Sequence, residues 1–316
     1  MRKKNSITTR GCSGKIFFWT MMALPFLQFL IFYIGANFNS LRLAFVEYTY
    51  QGSSLITKFP SVSAFTQIFS EMNVLLPMVK NSLVFFGANL LIVTPLSLLF
   101  GYYIFRKFRG ADFFKIVLFL PSVICCMVLL IFYRSFLNST FVDVANNLFD
   151  ANWEAILIAQ VIPDGYTRMY IALLIFSIVV GYSGSILLYL NAMSQISSSV
   201  LEAAKIDGAS ELRTFFSVII PGIWGTLVSL LCVSMANIGS NQAYLFNLFA
   251  VDAPAYIHTI GYHLYKAIMD GGVIKYTLYP YASALGILLT LVIAPATIIT
   301  RKLLLKYGPT EDEAGR

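Results

Sequence analysis

The chain has 316 residues, of which 58% are hydrophobic and 12% are charged, and its net charge is +7. Soluble domains carry about 45–50% apolar and about 25% charged residues, so this composition excludes a water-soluble fold and indicates a single membrane domain. The basic residues lie beside apolar segments, a pattern that sets membrane topology and argues against nucleic-acid binding. The cysteines show no metal or disulfide spacing and are interpreted as small buried side chains: Cys12, Cys125, Cys126 and Cys232.

The N-terminal tail, residues 1–15, is basic and precedes an apolar run. This order is similar to that of a signal peptide. The run from Ile16 to Ala36 is longer than the usual apolar region of a signal peptide, however, and no clear small-residue cleavage site follows it. The run is therefore predicted to be a retained first membrane helix.

A membrane helix needs about 20 mostly apolar residues. Six stretches meet this requirement: 16–36, 79–105, 113–134, 169–190, 215–238 and 280–300. Their interiors contain no Asp, Glu, Lys or Arg, each of which would cost about 2.5–3.5 kcal/mol at the bilayer centre. The chain is thus predicted to be an all-α polytopic membrane protein with six transmembrane helices.

The distribution of basic residues predicts how these helices are oriented. Lys and Arg are frequent in the N-terminal tail, in the short 106–112 connection and after the last helix, where they include Arg106, Lys107, Arg109, Arg301, Lys302 and Lys306. The longer connections 37–78, 135–168 and 239–279 hold few basic residues for their length. By the positive-inside rule, both termini and the 191–214 loop are predicted to face the cytoplasm.

Two outer connections contain apolar stretches that are not long enough to span a membrane. One is Ala155–Ile162. The other, 256–269, has apolar side chains near helical spacing: Ile257, Ile260, Leu264, Ala267 and Ile268. Both stretches are predicted to lie at the outer membrane surface or to cap the helix bundle. The polar tail 310–316 is predicted to be disordered.

The cytoplasmic segment 199–221 carries the local signals of a folded surface feature. Ser199, followed by Glu202 three residues later, forms a capping box and predicts the start of a helix. Asp207-Gly208 predicts a turn, because glycine adopts a positive φ without steric cost. The short helix between them combines apolar and small side chains: Leu201, Ala203, Ala204 and Ile206. These signals leave two hypotheses open, an ordinary helix–turn connection or a surface on which another protein docks.

The order of residues in this segment closely resembles the EAA loop of type I ABC importer permeases. That motif consists of E-A-A, three residues, G, nine residues and I-x-L-P. Here Glu202-Ala203-Ala204 is followed after three residues by Gly208, and after nine more by Val218-Ile219-Ile220-Pro221. The only departures are Val218 for Ile and Ile220 for Leu, and both keep an apolar side chain. The segment also lies where the charge pattern independently requires cytoplasm.

The resemblance implies the type I permease fold over residues 16–309, with the loop acting as a coupling helix in a cleft of an ATPase subunit. Glu202 would pair with a basic or polar group there, and Gly208 would make the turn. The ATPase-contacting residues implied in this way are Leu201, Glu202, Ala203, Ala204, Ile206, Asp207, Gly208 and Ala209. Closure of two ATPases around ATP and Mg would move the loop and swing the attached helices between outward- and inward-open states.

Other segments resemble carbohydrate-uptake permeases of the maltose and multiple-sugar type. They are Lys80–Leu83, Leu188–Gln195 and the last helix, from Tyr279-Pro280-Tyr281 to Gly308-Pro309. The resemblance implies a binding-protein-dependent sugar importer in a bacterial plasma membrane, in which this chain forms half of the pathway. The implied partners are a homologous second permease, two ATPase subunits and an extracytoplasmic solute-binding protein. Related permeases carry glycerol phosphates or uronate polymers, so the cargo stays open.

Polar side chains cluster in the fifth helix and at its outer end: Ser234, Asn237, Ser240, Asn241, Gln242 and Tyr244. Because polar groups that face lipid are costly, these side chains are predicted to face the bundle interior, where they could contact a sugar. Hydrogen bonding between helices is the alternative. Tyr182 and Ser185 of the fourth helix are further pathway candidates, although neighbouring Gly181 and Gly184 are typical of a helix-packing face.

The sequence argues against other classes of protein. It has no G-x-x-x-x-G-K-[ST] motif, so the chain is not predicted to bind ATP phosphates itself. His258 and His263 lack H-E-x-x-H spacing and no nucleophile–base pair is evident, which argues against an enzyme or a metal site. An ion-coupled secondary transporter is the remaining alternative. Such carriers place ionisable residues inside the membrane, and the six predicted spans have none in their interiors.

Overall fold

The computed structural model describes residues 12–51, 54–149, 163–269 and 275–309. The predicted outer stretch Ala155–Ile162 and the polar tail 310–316 lie outside the described residues. The chain divides into two compact units, Met1–Phe69 with Gly272–Ile287, and Ser70–Gly271 with Leu288–Arg316.

The first unit combines apolar helix with a small hairpin. Its elements in the first part of the chain are α1 (Cys12–Gln28), the π-helical turn Phe29–Gly35, α2 (Ala36–Leu43), β1 (Glu47–Gln51), β2 (Ser54–Lys58) and most of α3 (Ser63–Ser70). The two strands are antiparallel, with Glu47 opposite Lys58, and the Ser61 hydroxyl donates to the Glu47 carboxylate at 2.8 Å. The all-α prediction omitted this hairpin, although aromatic and β-branched residues in both strands favour it.

The second unit contains most of the helices. In chain order they are α4 (Met72–Ala88), α5 (Thr94–Phe105), α6 (Ala111–Val123), α7 (Cys126–Ser135), α8 (Phe141–Phe149), α9 (Pro163–Met193), α10 (Ser198–Ile206), α11 (Glu211–Thr214), α12 (Ile220–Gly222), α13 (Trp224–Ala236), α14 (Leu245–Phe249), α15 (Ile260–Met269) and the later part of α16 (Lys275–Tyr307). Wide π-helical turns and tight 3₁₀ turns join some of them: Asn89–Val93, Phe136–Thr140, Phe215–Ile219, Asn237–Gly239 and Ala255–Ile257.

Five described helices are long and apolar enough to cross a membrane: Lys15–Leu43, Met72–Phe105, Cys126–Leu148, Thr167–Met193 and Leu278–Tyr307. A sixth span results if Glu211–Gly222 and Trp224–Gly239, which meet at a bend of 70°, are counted together. The predicted fifth span, 215–238, is therefore sharply bent at its beginning.

The predicted third span, 113–134, is wrong as one continuous helix. α6 ends at Val123, the backbone of Ile124 is extended, and α7 opens the candidate span Cys126–Leu148. Pro121 favours this break, because it has no N–H to donate to the turn before it and its ring crowds that turn. Cys125 lies at the break and is exposed, so the predicted burial of the cysteines is wrong for this residue.

Two of the π-helical turns come just before a proline. In Asn89–Val93 the carbonyl of Asn89 accepts from the N–H of Thr94, next to Pro95. In Phe215–Ile219 the carbonyl of Phe215 accepts from the N–H of Ile220, next to Pro221. A proline lacks an N–H and crowds the carbonyl four residues earlier, and a wide turn relieves that crowding.

Two of the hydrophobic clusters in the described part of the second unit lie next to the candidate functional features. The coupling-side cluster joins α5 and the end of α9 to the segment after α11, and its buried members are Leu98, Tyr102, Tyr189, Ala192, Met193, Phe215, Ile219, Ile223 and Leu227. The cavity-side cluster joins α4, α7 and α9 to the chain after α13, and it includes Phe85, Leu130, Met169, Leu173, Phe176, Ala243, Leu245, Ile257 and Tyr262. Each cluster supports one of the two features described next.

Candidate functional site: a coupling segment and a polar cavity

The predicted coupling segment, 199–221, begins with a short exposed helix, α10. Its N-cap is Ser197, whose hydroxyl oxygen accepts a hydrogen bond from the Ser199 N–H at 3.3 Å. The predicted cap at Ser199 is therefore wrong by two residues. Ser197 has the extended backbone of an N-cap, whereas Ser199 is already helical and its own N–H needs an acceptor.

The rest of α10 and the turn after it present most of the predicted ATPase-contacting residues to solvent. Glu202, Ala203, Ile206, Asp207 and Gly208 are exposed, while Leu201, Ala204 and Ala209 are partly exposed. Ile206 is 85% exposed, which is unusual for an isoleucine in a folded chain. Leu201 points the other way and packs against the coupling-side cluster. The helix is thus anchored on one side and open to a partner on the other.

Gly208 makes the predicted turn. Its φ is +71°, the left-handed region that glycine adopts without steric cost. A Cβ at this position would meet no heavy atom within 4 Å, so the backbone conformation rather than crowding requires glycine here. The turn carries the chain from α10 to α11, which Ser210 caps by accepting from the Arg213 N–H at 3.3 Å.

The end of the last helix braces the bend that follows the coupling segment. α13 begins at Trp224, whose indole Nε1 donates to the carbonyl oxygen of Leu304 at 3.0 Å. Gly308 lies directly against that indole, because a Cβ added at Gly308 would stand 1.9 Å from Nε1. The bend between Gly222 and Trp224 is therefore held by a contact from α16.

Replacing Gly308 by alanine is expected to lower stability by about 1–3 kcal/mol, the usual cost of overpacking. The new methyl group displaces Trp224 and its hydrogen bond. Thermal unfolding in detergent measures the effect. Gly225→Ala is the matched control, because a Cβ at Gly225 meets nothing within 4 Å. Equal unfolding temperatures for the two variants would show that the close packing of Gly308 against Trp224 does not contribute to stability.

A polar cavity of about 470 Å³ lies between the second, fourth and fifth spans. All six polar residues predicted in and after the fifth helix line it: Ser234, Asn237, Ser240, Asn241, Gln242 and Tyr244. Further polar lining residues are Ser82, Asn89, Ser177 and Asn247, and Phe85 and Phe86 add aromatic faces. Its volume lies within the range of about 300–1,000 Å³ that is typical of small-molecule sites.

The predicted interhelical hydrogen bonding is also present at this cavity. The Ser234 hydroxyl donates to Asn89 Oδ1 at 3.1 Å and joins the second and fifth spans. Sequence reasoning missed Asn89, although a lone amide in an apolar run is a signal that could have found it. The two alternatives considered for Ser234 are therefore compatible, since it both joins two helices and lines the cavity.

One wall of the cavity is a non-helical stretch, 240–244, with a constrained backbone. Ala243 and Tyr244 have φ values of +49° and +61°, a region that costs energy for residues other than glycine and occurs often at functional sites. The Asn241 side chain supports this turn by accepting from the Ala243 N–H at 2.9 Å. The Tyr244 ring packs edge-on against Phe176, with ring centroids 5.1 Å apart.

Helix α15 and Thr259, the residue before it, pack against this wall. The Thr259 hydroxyl donates to the carbonyl oxygen of Asn241 at 2.7 Å. Gly261 allows the closest approach, because a Cβ there would lie 2.6 Å from the carbonyl carbon of Ser240. The amphipathic stretch predicted over 256–269 contains this helix, and its buried Ile257 and Ile260 pack inward.

The other two pathway candidates lie elsewhere. The Tyr182 ring packs with the buried cluster of Ile104, Leu118 and Ile186. The Ser185 hydroxyl donates to the carbonyl oxygen of Gly181 in its own helix at 2.9 Å. Neither belongs to the described lining of the cavity.

The sequence also did not indicate two charged site residues, Glu211 within the coupling segment and Arg106 in the 106–112 connection. Arg106 forms an ion pair with Glu211. Arg106 was interpreted only as a topology signal, and nothing in the sequence pairs it with a residue so far along the chain. Within the described residues, no group of three or more His, Cys, Asp or Glu side chains is arranged to hold a metal ion.

Comparison with known families identifies the class of protein to which these features belong. Residues 93–306 match the family described as binding-protein-dependent transport system inner membrane component. The chain belongs to this family. The matched region of this inner membrane component includes the coupling segment and most of the cavity lining.

Several permeases are similar to this inner membrane component at low identity. The multiple sugar-binding transport system permease protein MsmF of Streptococcus mutans is 21% identical, with 95% of this chain and 99% of MsmF covered. The arabinooligosaccharides transport system permease protein AraP of Bacillus subtilis is 23% identical, with 90% and 87% covered. A probable ABC transporter permease of Mycoplasma pneumoniae is 28% identical, but only 58% of this chain and 55% of that protein are covered.

Solved structures establish the fold of this inner membrane component. A chain of a bacterial ABC transporter involved in the import of the acidic polysaccharide alginate superposes with a TM-score of 0.72 at 17% identity, covering 93% of this chain and 97% of that chain. The alginate transporter in complex with an alginate pentasaccharide-bound periplasmic protein gives 0.71 at 18%, covering 91% and 93%. The predicted resemblance to type I permeases of the carbohydrate-uptake group is confirmed.

Proposed function

We propose that this chain is the membrane-spanning subunit of an ATP-driven, binding-protein-dependent importer of an oligosaccharide, and that it forms half of the translocation pathway. The observation that carries the proposal is the exposed helix α10, which is followed by a left-handed Gly208 at the position where the EAA motif has its glycine. The names of MsmF and AraP, which refer to sugars and arabinooligosaccharides, support the class of cargo.

In the proposed complex, α10 docks in a cleft of an ATPase subunit. Glu202 pairs with a basic or polar group there, and exposed Ile206 supplies apolar contact area. The basic connection 106–112 and the basic end of α16 support an orientation with the coupling segment and both termini in the cytoplasm. Two partner ATPases bind ATP and Mg, so hydrolysis is not assigned to this chain.

A homologous second permease would complete the pathway, and an extracytoplasmic binding protein would deliver the cargo. One solved relative is an alginate transporter in complex with a pentasaccharide-bound periplasmic protein, which supports an assembly of this kind. Co-purification from gently solubilised membranes tests it. We expect an ATPase and a second permease to be recovered with this chain. Transport by this chain alone, without ATP, would contradict the proposal and favour a secondary transporter.

The cavity is proposed to contact the sugar during translocation. Its described lining consists of uncharged side chains, with amides and hydroxyls beside aromatic rings. This chemistry suits sugar hydroxyl groups and ring faces. Recognition of a phosphate or a polycarboxylate is instead dominated by Arg and Lys. The lining therefore favours neutral sugar units over a glycerol phosphate or a uronate polymer, in line with the names of MsmF and AraP. Two other similar proteins are named for acidic polymers, the alginate transporter and the polygalacturonan/rhamnogalacturonan permease YteP of Bacillus subtilis, so the uptake assay must include a charged probe.

Replacing Asn237 by alanine is expected to raise the KM for sugar uptake by about tenfold, the effect of one lost hydrogen bond to the cargo. The assembled complex in vesicles is assayed with labelled neutral oligosaccharides, an oligouronate and glycerol 3-phosphate. Ser185→Ala is the control, because that hydroxyl bonds within its own helix. Efficient uptake of the charged probes, or an unchanged KM in the Asn237 variant, would contradict this assignment.

A further inference from the structure

The cytoplasm-proximal end of the second span is joined to the coupling segment by a forked ion pair. Arg106 follows α5 directly, and its Nε donates to Glu211 Oε2 at 2.9 Å. A second guanidinium N–H pairs with the other carboxylate oxygen, Oε1. This hydrogen bonding raises the pKa of Arg106 above its ordinary value. Two parallel bonds fix the direction of approach as well as the distance.

A residue within that span, Tyr102, binds the same carboxylate. The Tyr102 hydroxyl donates to Glu211 Oε2 at 2.6 Å and also lies 3.3 Å from the Glu211 backbone carbonyl oxygen. Tyr102 is only 7% exposed, and its ring packs against Phe215 with centroids 5.0 Å apart. The start of α11 is therefore held by one side chain of the second span, Tyr102, and by Arg106, the residue that follows this span directly.

The ion pair itself contributes little to the free energy of unfolding. The side chains of Arg106 and Glu211 are 25% and 48% exposed, and solvent screens ion pairs of this kind. The coupling-side cluster already packs these elements together without it. The pair adds a directional connection between the end of α5 and the start of α11. Apolar packing is not directional and would restrain a displacement of one helix along the other less strongly.

The same span also reaches the cavity. Asn89, Ser82 and Phe85 lie in Met72–Phe105, the span that ends beside Arg106, and all three line the cavity. A displacement of α11 that pulls on Arg106 and Tyr102 would therefore move part of the cavity wall. This is a contiguous physical connection from the coupling segment to the proposed cargo site.

We propose that Arg106 and Glu211 are positioning residues that make the second span move with the coupling segment, so that ATPase movement reaches the cavity. The proposal rests on the proposed transport function. It assigns to the 106–112 connection a mechanical role in addition to setting topology. Tyr102 supports the pair by holding the carboxylate in place.

Charge reversal in the assembled complex tests the pair. In proteoliposomes, Arg106→Glu and Glu211→Arg are each expected to lower sugar uptake per ATP hydrolysed by about tenfold, while the double exchange restores it to within about twofold. Recovery of the ATPase with each variant is measured in parallel and is expected to stay normal. Arg109→Glu is the matched control, because it makes the same charge change in the same connection.

A conservative variant covers the case in which a charge reversal prevents assembly. Arg106→Lys keeps the charge but loses the fork, and it is expected to lower the same ratio by about threefold. An unchanged ratio in Arg106→Lys and in every assembled reversal would overturn the proposal, as would a double exchange no better than the single variants. Failure of the unaltered complex to transport sugar with ATP would instead contradict the proposed function.

Discussion

Replacing Gly261 by alanine is expected to destabilise the protein by about 3 kcal/mol or more. The added Cβ would lie within 2.6–2.8 Å of the carbonyl carbon of Ser240 and of the backbone oxygen and nitrogen of Asn241. These are backbone atoms and cannot rotate away. The higher helix propensity of alanine would offset only about 1 kcal/mol of this loss, so the net change in stability is still unfavourable.

The loss of stability should be largest at the cavity, because Gly261 of α15 and Thr259 just before α15 both contact the 240–244 wall. Thermal unfolding in detergent and the amount of protein recovered from membranes measure the effect. Gly184→Ala is the control, since Gly184 is also helical and a Cβ there meets nothing within 4 Å. An unfolding temperature for Gly261→Ala as high as that of Gly184→Ala would show that the approach of α15 to this wall is not required.

Replacing Gly208 by valine is expected to abolish most ATP-driven uptake while leaving membrane insertion intact. A left-handed backbone costs L-residues roughly 1–2 kcal/mol, and β-branched residues are the least tolerant of it. The backbone at position 208 would leave the left-handed region, and α10 would then present Glu202 and Ile206 in a different direction. Steric crowding is not the cause of the expected loss of uptake, since nothing lies within 4 Å of a Cβ at Gly208.

Gly208→Asn separates conformation from size, because asparagine resembles valine in volume but tolerates positive φ. Uptake and recovery of the ATPase should therefore be much better preserved in the asparagine variant. Glu202→Lys should loosen the ATPase without changing the fold, since Glu202 is exposed. If valine and asparagine reduce uptake equally, the left-handed turn is not what docking requires. Unchanged uptake in Gly208→Val and Glu202→Lys would make the segment an ordinary connector.

The sequence predicted those features that depend on local chemistry. A membrane helix needs about 20 apolar residues, so hydropathy located the membrane-crossing segments other than the third, which was predicted over 113–134. The turn at Gly208 was also predictable, because φ preference belongs to the residue itself. The cost of facing lipid also predicted that Ser234, Asn237 and Tyr244 face the bundle interior, and in the structure all three line one cavity.

What the sequence did not predict depends on contacts between distant parts of the chain. The break before Cys126 is an exception, because Pro121 is a local signal for it, but hydropathy alone does not report a change in backbone direction. Asn89 joins the cavity through a partner in another span, Ser234. Arg106 and Glu211 meet only after α5 and α11 pack together, and either residue alone has the pattern of an ordinary solvated charge.

The wide turn at Asn89–Val93 divides the second span into one half that lines the cavity and another that contacts Glu211. The residues before it contribute Ser82 and Phe85 to the cavity, and those after it contribute Tyr102 to the grip on Glu211. In a regular α-helix each residue advances by about 100° around the axis. Deleting one residue from the turn would twist the two halves against each other by about that angle. The turn therefore sets the rotation of the cavity-lining half of the span relative to the half that contacts Glu211. A single-residue deletion there should disrupt one of these two sets of contacts while leaving the hydropathy of the span almost unchanged.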